Sequence, residues 1–178
     1  TKVIAINALQ EAADSLDSRI GQAMHRLLEW FVPQGGTDGT SPTWSPSQCE
    51  RISQEFDLES THMAQAQAMA RAIVQGEGAW AWDAQQLGWH GNEVALVHQG
   101  RPLRIDRLEQ CMGGDDGHGG GGQWWGLDYK STAQPQLQAE LRAQLHTYRN
   151  AVAKAQPGQT VRAAFLTAVG TLIELPAL

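Results

Sequence analysis

Two short stretches hold the residues best able to do chemistry. In "WWGLDYKS" (residues 124–131) a carboxylate and an amine stand two apart, Asp128 and Lys130. In "GRPLRIDRL" (residues 100–108) Asp106 closes an alternation of apolar and charged residues. Alternate residues of a strand share a face. As strands, these stretches put Arg104 with Asp106, and Gly126 with Asp128 and Lys130. If the strands are neighbours, Asp106 comes close to Asp128. Two adjacent carboxylates repel unless a cation lies between them. Oxygen ligands of that kind suit a hard ion such as Mg²⁺. A fixed lysine beside it can orient a water or stabilise developing charge. Together these parts can hydrolyse a phosphodiester.

The elements that must position these residues follow from periodicity. "DSLDSRIGQAMHRLLEWFV" sets Leu16, Ile20, Met24, Leu27 and Phe31 on one helical stripe, with Asp14, Ser15, Asp17 and Ser18 as candidate N-caps. "PQGGTDGTSPTWSPS" is a loop by its Gly, Pro and Ser content. "SPSQCERISQEF" and "THMAQAQAMARAIVQ" read as two more helices. The period then changes. "NEVALVHQGRPLRIDRLEQ" reads as two strands about a tight turn at Gln99-Gly100-Arg101-Pro102, and "QWWGLDYKS" as a third. "QPQLQAELRAQLHTYRNAVAKA" is a long helix with Leu137, Leu141, Leu145, Tyr148 and Val152 as its stripe. "TVRAAFLTAVG" is a strand buried on both faces, with "TLIEL" beside it. Strand, helix, strand implies a right-handed parallel crossover. The expected fold class is α/β: a mixed central sheet flanked by helices, with an N-terminal helical part. The expected organisation is one domain over residues 1–178, helical to about residue 78 and sheet-and-helix from about 79.

Five stretches in order resemble the PD-(D/E)XK nuclease superfamily, and more closely the RecB-type nuclease domain at the C-terminus of bacterial helicase-nucleases. "GQAMHRLLEW" resembles the motif whose histidine is a metal ligand, here His25. "NEVAL" resembles the strand with an acidic residue before the turn, here Glu93. "GRPLRIDRL" resembles Gly-x-x-Asp-Arg, giving Asp106, and "WWGLDYKS" resembles Asp-Tyr-Lys-Thr with Ser131 for the threonine. "AQLHTYR" resembles Gln-x-x-x-Tyr, giving Gln144 and Tyr148. The resemblance runs from about residue 17 to the end. It implies a restriction-endonuclease-like core and a Mg²⁺- or Mn²⁺-dependent exonuclease acting in DNA end processing and recombinational repair. The implied ligands are His25, Asp106, Asp128 and the carbonyl of Tyr129, with Glu93 as ligand or support. Lys130 would act on the attacking water, and Gln144 and Tyr148 would position substrate. The implied partners are DNA, helicase domains in the same polypeptide and a partner subunit. The linker "CMGGDDGHGGGG" departs from the family by its length and glycine content.

Each residue also has a plainer reading. A lone histidine is more often an ordinary one, although His25 lies about 140° from the centre of its helix's apolar stripe. Asp106 could pair with Arg104 or Arg107 on an edge strand, and Asp128 with Lys130 at a strand end; such surface pairs are weak. "GNE" could be a turn rather than a place for a ligand. Asp115, Asp116 and His118 read as linker. Trp124 could stack on a base or pack in the core. The competing function is a nuclease fold without catalysis that guides DNA or holds a partner; Asp106, Asp128 and Lys130 all being present counts against it.

Composition sets further bounds. The net charge of -6 argues against gripping nucleic acid by bulk charge. Two distant cysteines, Cys49 and Cys111, form neither a disulfide framework nor an iron–sulfur site and fit a reducing cytoplasm. No run approaches the ~18 apolar residues of a membrane span, and no signal peptide opens the chain. Thr1 in place of Met suggests a piece of something longer.

Overall fold

The computed structural model describes residues 15–33, 42–112 and 122–176. The chain divides into two compact units, residues 1–71 and 72–178. Asp115, Asp116 and His118 fall outside the described residues, as does most of the Gly-rich loop before Trp44.

The first unit is helical. Helix α1 (Leu16–Glu29) starts where the Ser15 side chain accepts from Ser18 N, and it buries Ile20, Ala23, Met24, Leu27 and Leu28. Leu16 is 38% exposed and Phe31 lies beyond the helix, tilted against Trp44 with ring centroids 5.8 Å apart. The expected stripe is therefore real in its middle and open at both ends. Helix α2 (Pro46–Phe56) carries a capping box between Ser45 and Gln48 and stops at Asp57 in the left-handed region. Helix α3 spans Ser60–Gln75, its last turn counting with the second unit.

The second unit is built on one five-stranded sheet, in the order β1 (Leu87–His98), β2 (Arg101–Cys111), β3 (Gln123–Lys130), β4 (Val161–Thr167), β5 (Leu172–Glu174). A 3-10 turn, Ala79–Trp82, precedes it. Only β3 and β4 pair in parallel, across helix α4 (Ala139–Ala155); the other pairs are antiparallel. The sheet is mixed, as the sequence pattern predicts. The hairpin turn is narrower than expected. Gln99 (φ 50°) and Gly100 (φ 72°) alone make it, while Arg101 and Pro102 already pair with His98 and Val97. Two successive left-handed residues match the twist of the flanking strands.

Helix α4 begins at Ala139, not at the proline-containing stretch before it. Leu137 sits in a separate 3-10 turn opened by Pro135 and is 69% exposed, so it is not part of the helix stripe. Leu145, Tyr148 and Val152 of α4 do pack on the sheet, against Leu108, Trp124, Ala163 and Phe165. Trp124 is buried there and tilted against Trp89, with ring centroids 5.7 Å apart, which favours its packing role over base stacking.

Candidate active site

The β2–β3 register determines the site. The pairs run from Cys111↔Gln123 to Arg107↔Leu127. Just beyond the last pair, the Asp106 side chain reaches that of Asp128, close enough for a hydrogen bond between the two carboxyls. The Lys130 ammonium lies 3.1 Å from Asp128 Oδ2. Asp128 is almost wholly buried.

Backbone direction at the end of β3 completes the arrangement. The carbonyl of Lys130 turns toward β4, where it accepts from Ala168 N at 2.9 Å. Tyr129, one residue earlier, turns its backbone groups the other way, toward β2. Its N–H donates to Asp106 Oδ2 at 2.8 Å, and in a strand a residue's carbonyl points to the same side as its own N–H.

Glu93 joins this group from β1. Its carboxylate and that of Asp106 place oxygens within 4.8 Å of one another. Arg104 lies 3.6 Å away. The "GNE" stretch is strand, not turn, yet Glu93 has φ 51°. A left-handed backbone costs an L-residue roughly 1–2 kcal/mol, and such strain concentrates at sites where the surroundings impose it.

Tyr148 approaches from α4. Its phenol is pushed up to about 12, first by burial and then by the charges of Asp128 and Asp106. Gln144, one helical turn before, is hydrogen-bonded to it and exposed. The structure brings together seven of the predicted residues: Glu93, Asp106, Asp128, Tyr129, Lys130, Gln144 and Tyr148. His25 belongs to the first unit, half-buried on α1.

Charge is crowded in this site. Asp128 is raised to about 7, chiefly by burial, then by the Asp106 charge and the hydrogen bond its protonated form makes to Asp106; Lys130 pulls the other way. Carboxylates stacked in this way are a donor set that a hard divalent cation fits. Without such an ion, the raised folded value of Asp128 favours the native state at low pH. That contribution is lost as pH rises through about 7. The metal-free protein should therefore melt several degrees higher at pH 5.5 than at pH 8, and Asp128→Asn should flatten the difference. Melting curves at the two pH values check this; an unchanged slope in the variant would count against it.

The opposite face of the same strands holds a network that sequence reasoning missed. Arg107 is buried, so it is not the surface charge its place beside Asp106 suggested. Its guanidinium donates to Ala81 O at 2.6 Å and to Asn92 Oδ1 at 2.7 Å, and pairs with buried Glu109. Burial pushes Glu109 up to about 7 although Arg107 opposes this. The Arg107 guanidinium also lies 4.9 Å from the centre of the Trp82 ring, and Trp82 stacks on Tyr129. The available signal was spacing: Arg107, Glu109 and Trp125 alternate onto one face with Tyr129.

Among known families, the PD-(D/E)XK nuclease superfamily matches the chain over residues 4–172, nearly its whole length. The chain belongs to that superfamily. Members of the superfamily are usually metal-dependent nucleases, and the mixed α/β sheet seen here is consistent with its restriction-endonuclease-like fold. Comparison with curated proteins finds no match. Among the described residues no helix is long and apolar enough to cross a membrane.

Proposed function

We propose that this PD-(D/E)XK chain is a deoxyribonuclease of the RecB type, an exonuclease that uses Mg²⁺ or Mn²⁺ in DNA end processing and recombinational repair. The observation that carries the reading is the Asp106 carboxyl against that of Asp128, with Lys130 also against Asp128. In this reading Asp106, Asp128 and the Tyr129 carbonyl hold the metal, and Glu93 ligates or supports it. His25 is assigned the nitrogen ligand on the motif resemblance alone, and a nitrogen ligand makes Mn²⁺ a comfortable substitute. Bound there, the ion would polarise the phosphate and acidify a water. Lys130 orients the attacking water and meets charge that develops on the phosphate. Gln144 and Tyr148 position the substrate.

Cleavage assays on linear single- and double-stranded DNA with Mg²⁺, Mn²⁺ or EDTA test the reading. Metal-dependent loss of DNA supports it. Absence of cleavage with every metal, while DNA is still bound, would instead make the chain a guiding module.

The charge balance bears on partners. Thirteen Lys and Arg face nineteen Asp and Glu. Non-specific affinity comes mostly from cations on phosphates, and repulsion is strongest at low salt, where screening is poor. The chain alone should therefore bind a short duplex weakly. Helicase domains in the same polypeptide, with a partner subunit, would deliver the strand by raising its local concentration. Filter binding at low salt decides this: tight, metal-independent binding would contradict dependence on a larger assembly.

A further inference from the structure

The β1–β2 ladder contains an anomaly beside the candidate ligands. The pairs Asn92↔Arg107 and Val94↔Ile105 are both formed, in unbroken register, around Glu93. Glu93 itself is left-handed, with φ 51°. The other described non-glycine residues with positive φ are Asp57, at a helix end, and Gln99, in the hairpin turn, where such a backbone is ordinary. Inside a strand it must be imposed from outside.

The residue before it is held from the far side of the sheet. Arg107 is a fixed point: buried, bonded through Nε and Nη2 to Ala81 O, paired with Glu109, and covered by the Trp82 ring. From that point Nη1 reaches Asn92 Oδ1 at 2.7 Å. Asn92 is the residue before Glu93 and is only half-buried, so it is the adjustable end of the contact.

We propose that Asn92, held by Arg107, is a positioning residue that keeps Glu93 in its left-handed backbone so that its carboxylate faces Asp106. It thereby sets the affinity of the site for a divalent cation. The proposal rests on reading Glu93, Asp106 and Asp128 as the metal's carboxylates. Asn92 reaches Arg107 on one side of the sheet while Val94 packs against the α4-side core, so β1 changes face at Glu93. Released from Arg107, the strand loses that change of face and the Glu93 carboxylate leaves its place beside Asp106. Asp106 and Asp128 stay in place, because β2 and β3 pair independently of this contact.

Calorimetric titration with Mn²⁺ at pH 8, in the absence of DNA, tests the proposal. Asn92→Leu should weaken Mn²⁺ binding by roughly tenfold, the scale of outer-shell effects on metal affinity. Asn92→Asp, which keeps an acceptor oxygen for Arg107, should stay close to the parent. In a Glu93→Gln background, Asn92→Leu should add nothing, since the contact acts only through the Glu93 carboxylate. A structural role alone would lower the melting temperature and weaken binding equally in both backgrounds. Asn92→Ala, which leaves room for water on Arg107 Nη1, gives the same comparison should the leucine perturb folding. Unchanged affinity in Asn92→Leu and Asn92→Ala, or equal losses with and without Glu93, overturns the proposal. If the parent and Asp128→Asn bind Mn²⁺ alike, the reading of the metal site itself is what fails.

Discussion

Asp128→Asn should leave the protein folded and reduce DNA cleavage by at least about 100- to 1000-fold, the cost of removing one charged group from a reacting centre. Asp106→Asn should do the same. Each change deletes a carboxylate charge with almost no change of volume. At Asp128 it also removes a buried carboxyl crowded by Asp106, so stability at pH 8 should not fall. Single-turnover cleavage in saturating Mg²⁺ and Mn²⁺ calorimetry read the two effects separately. Unchanged metal affinity in both variants would mean that the site is misplaced.

The second large effect is expected at Lys130. Lys130→Ala should slow cleavage by about 100- to 10,000-fold, the range typical of a group that acts on a transferred proton. Metal binding should survive the change. Lys130 lies 3.1 Å from Asp128 and neutralises part of its charge, so removing the ammonium leaves that carboxylate freer for a divalent ion. Mn²⁺ affinity should thus be retained or tightened while the rate collapses. A rate near that of the parent in saturating Mg²⁺ would rule out the assignment.

Much of the site was legible because β3 alternates regularly. Asp128 and Lys130 could be assigned to one face from spacing alone, and Asp106 does come against Asp128, although β2 changes face around it, with Ile105 and Leu108 in one core. The crossover was legible too, since β4 is nearly continuous in apolar residues and buried from Ala163 to Thr167. What escaped were features decided by long-range packing. Arg107 reads as a surface charge until Ala81, Asn92 and Trp82 are seen to converge on it. Glu93 reads as a strand residue, with a turn at "GNE" as the alternative; what escaped is that the strand continues through a left-handed backbone there. Leu137 matched the helical period, yet Pro135 opened a separate turn before the helix could begin.

The hairpin and β3 differ in how they tolerate changes of chain length. One residue inserted into β3 between Trp125 and Asp128 would turn Asp128 and Lys130 onto the face now held by Tyr129 and Trp82. Two would restore the face but carry the carboxylate about 6–7 Å along the strand, out of step with Asp106. At the tip of the β1–β2 hairpin the surroundings are open, with nothing within 4 Å of where a side chain at Gly100 would begin, although its φ of 72° itself favours glycine. Natural variation in length and grafted tags or fluorophores are thus steered to residues 99–100, while β3 can evolve by substitution only.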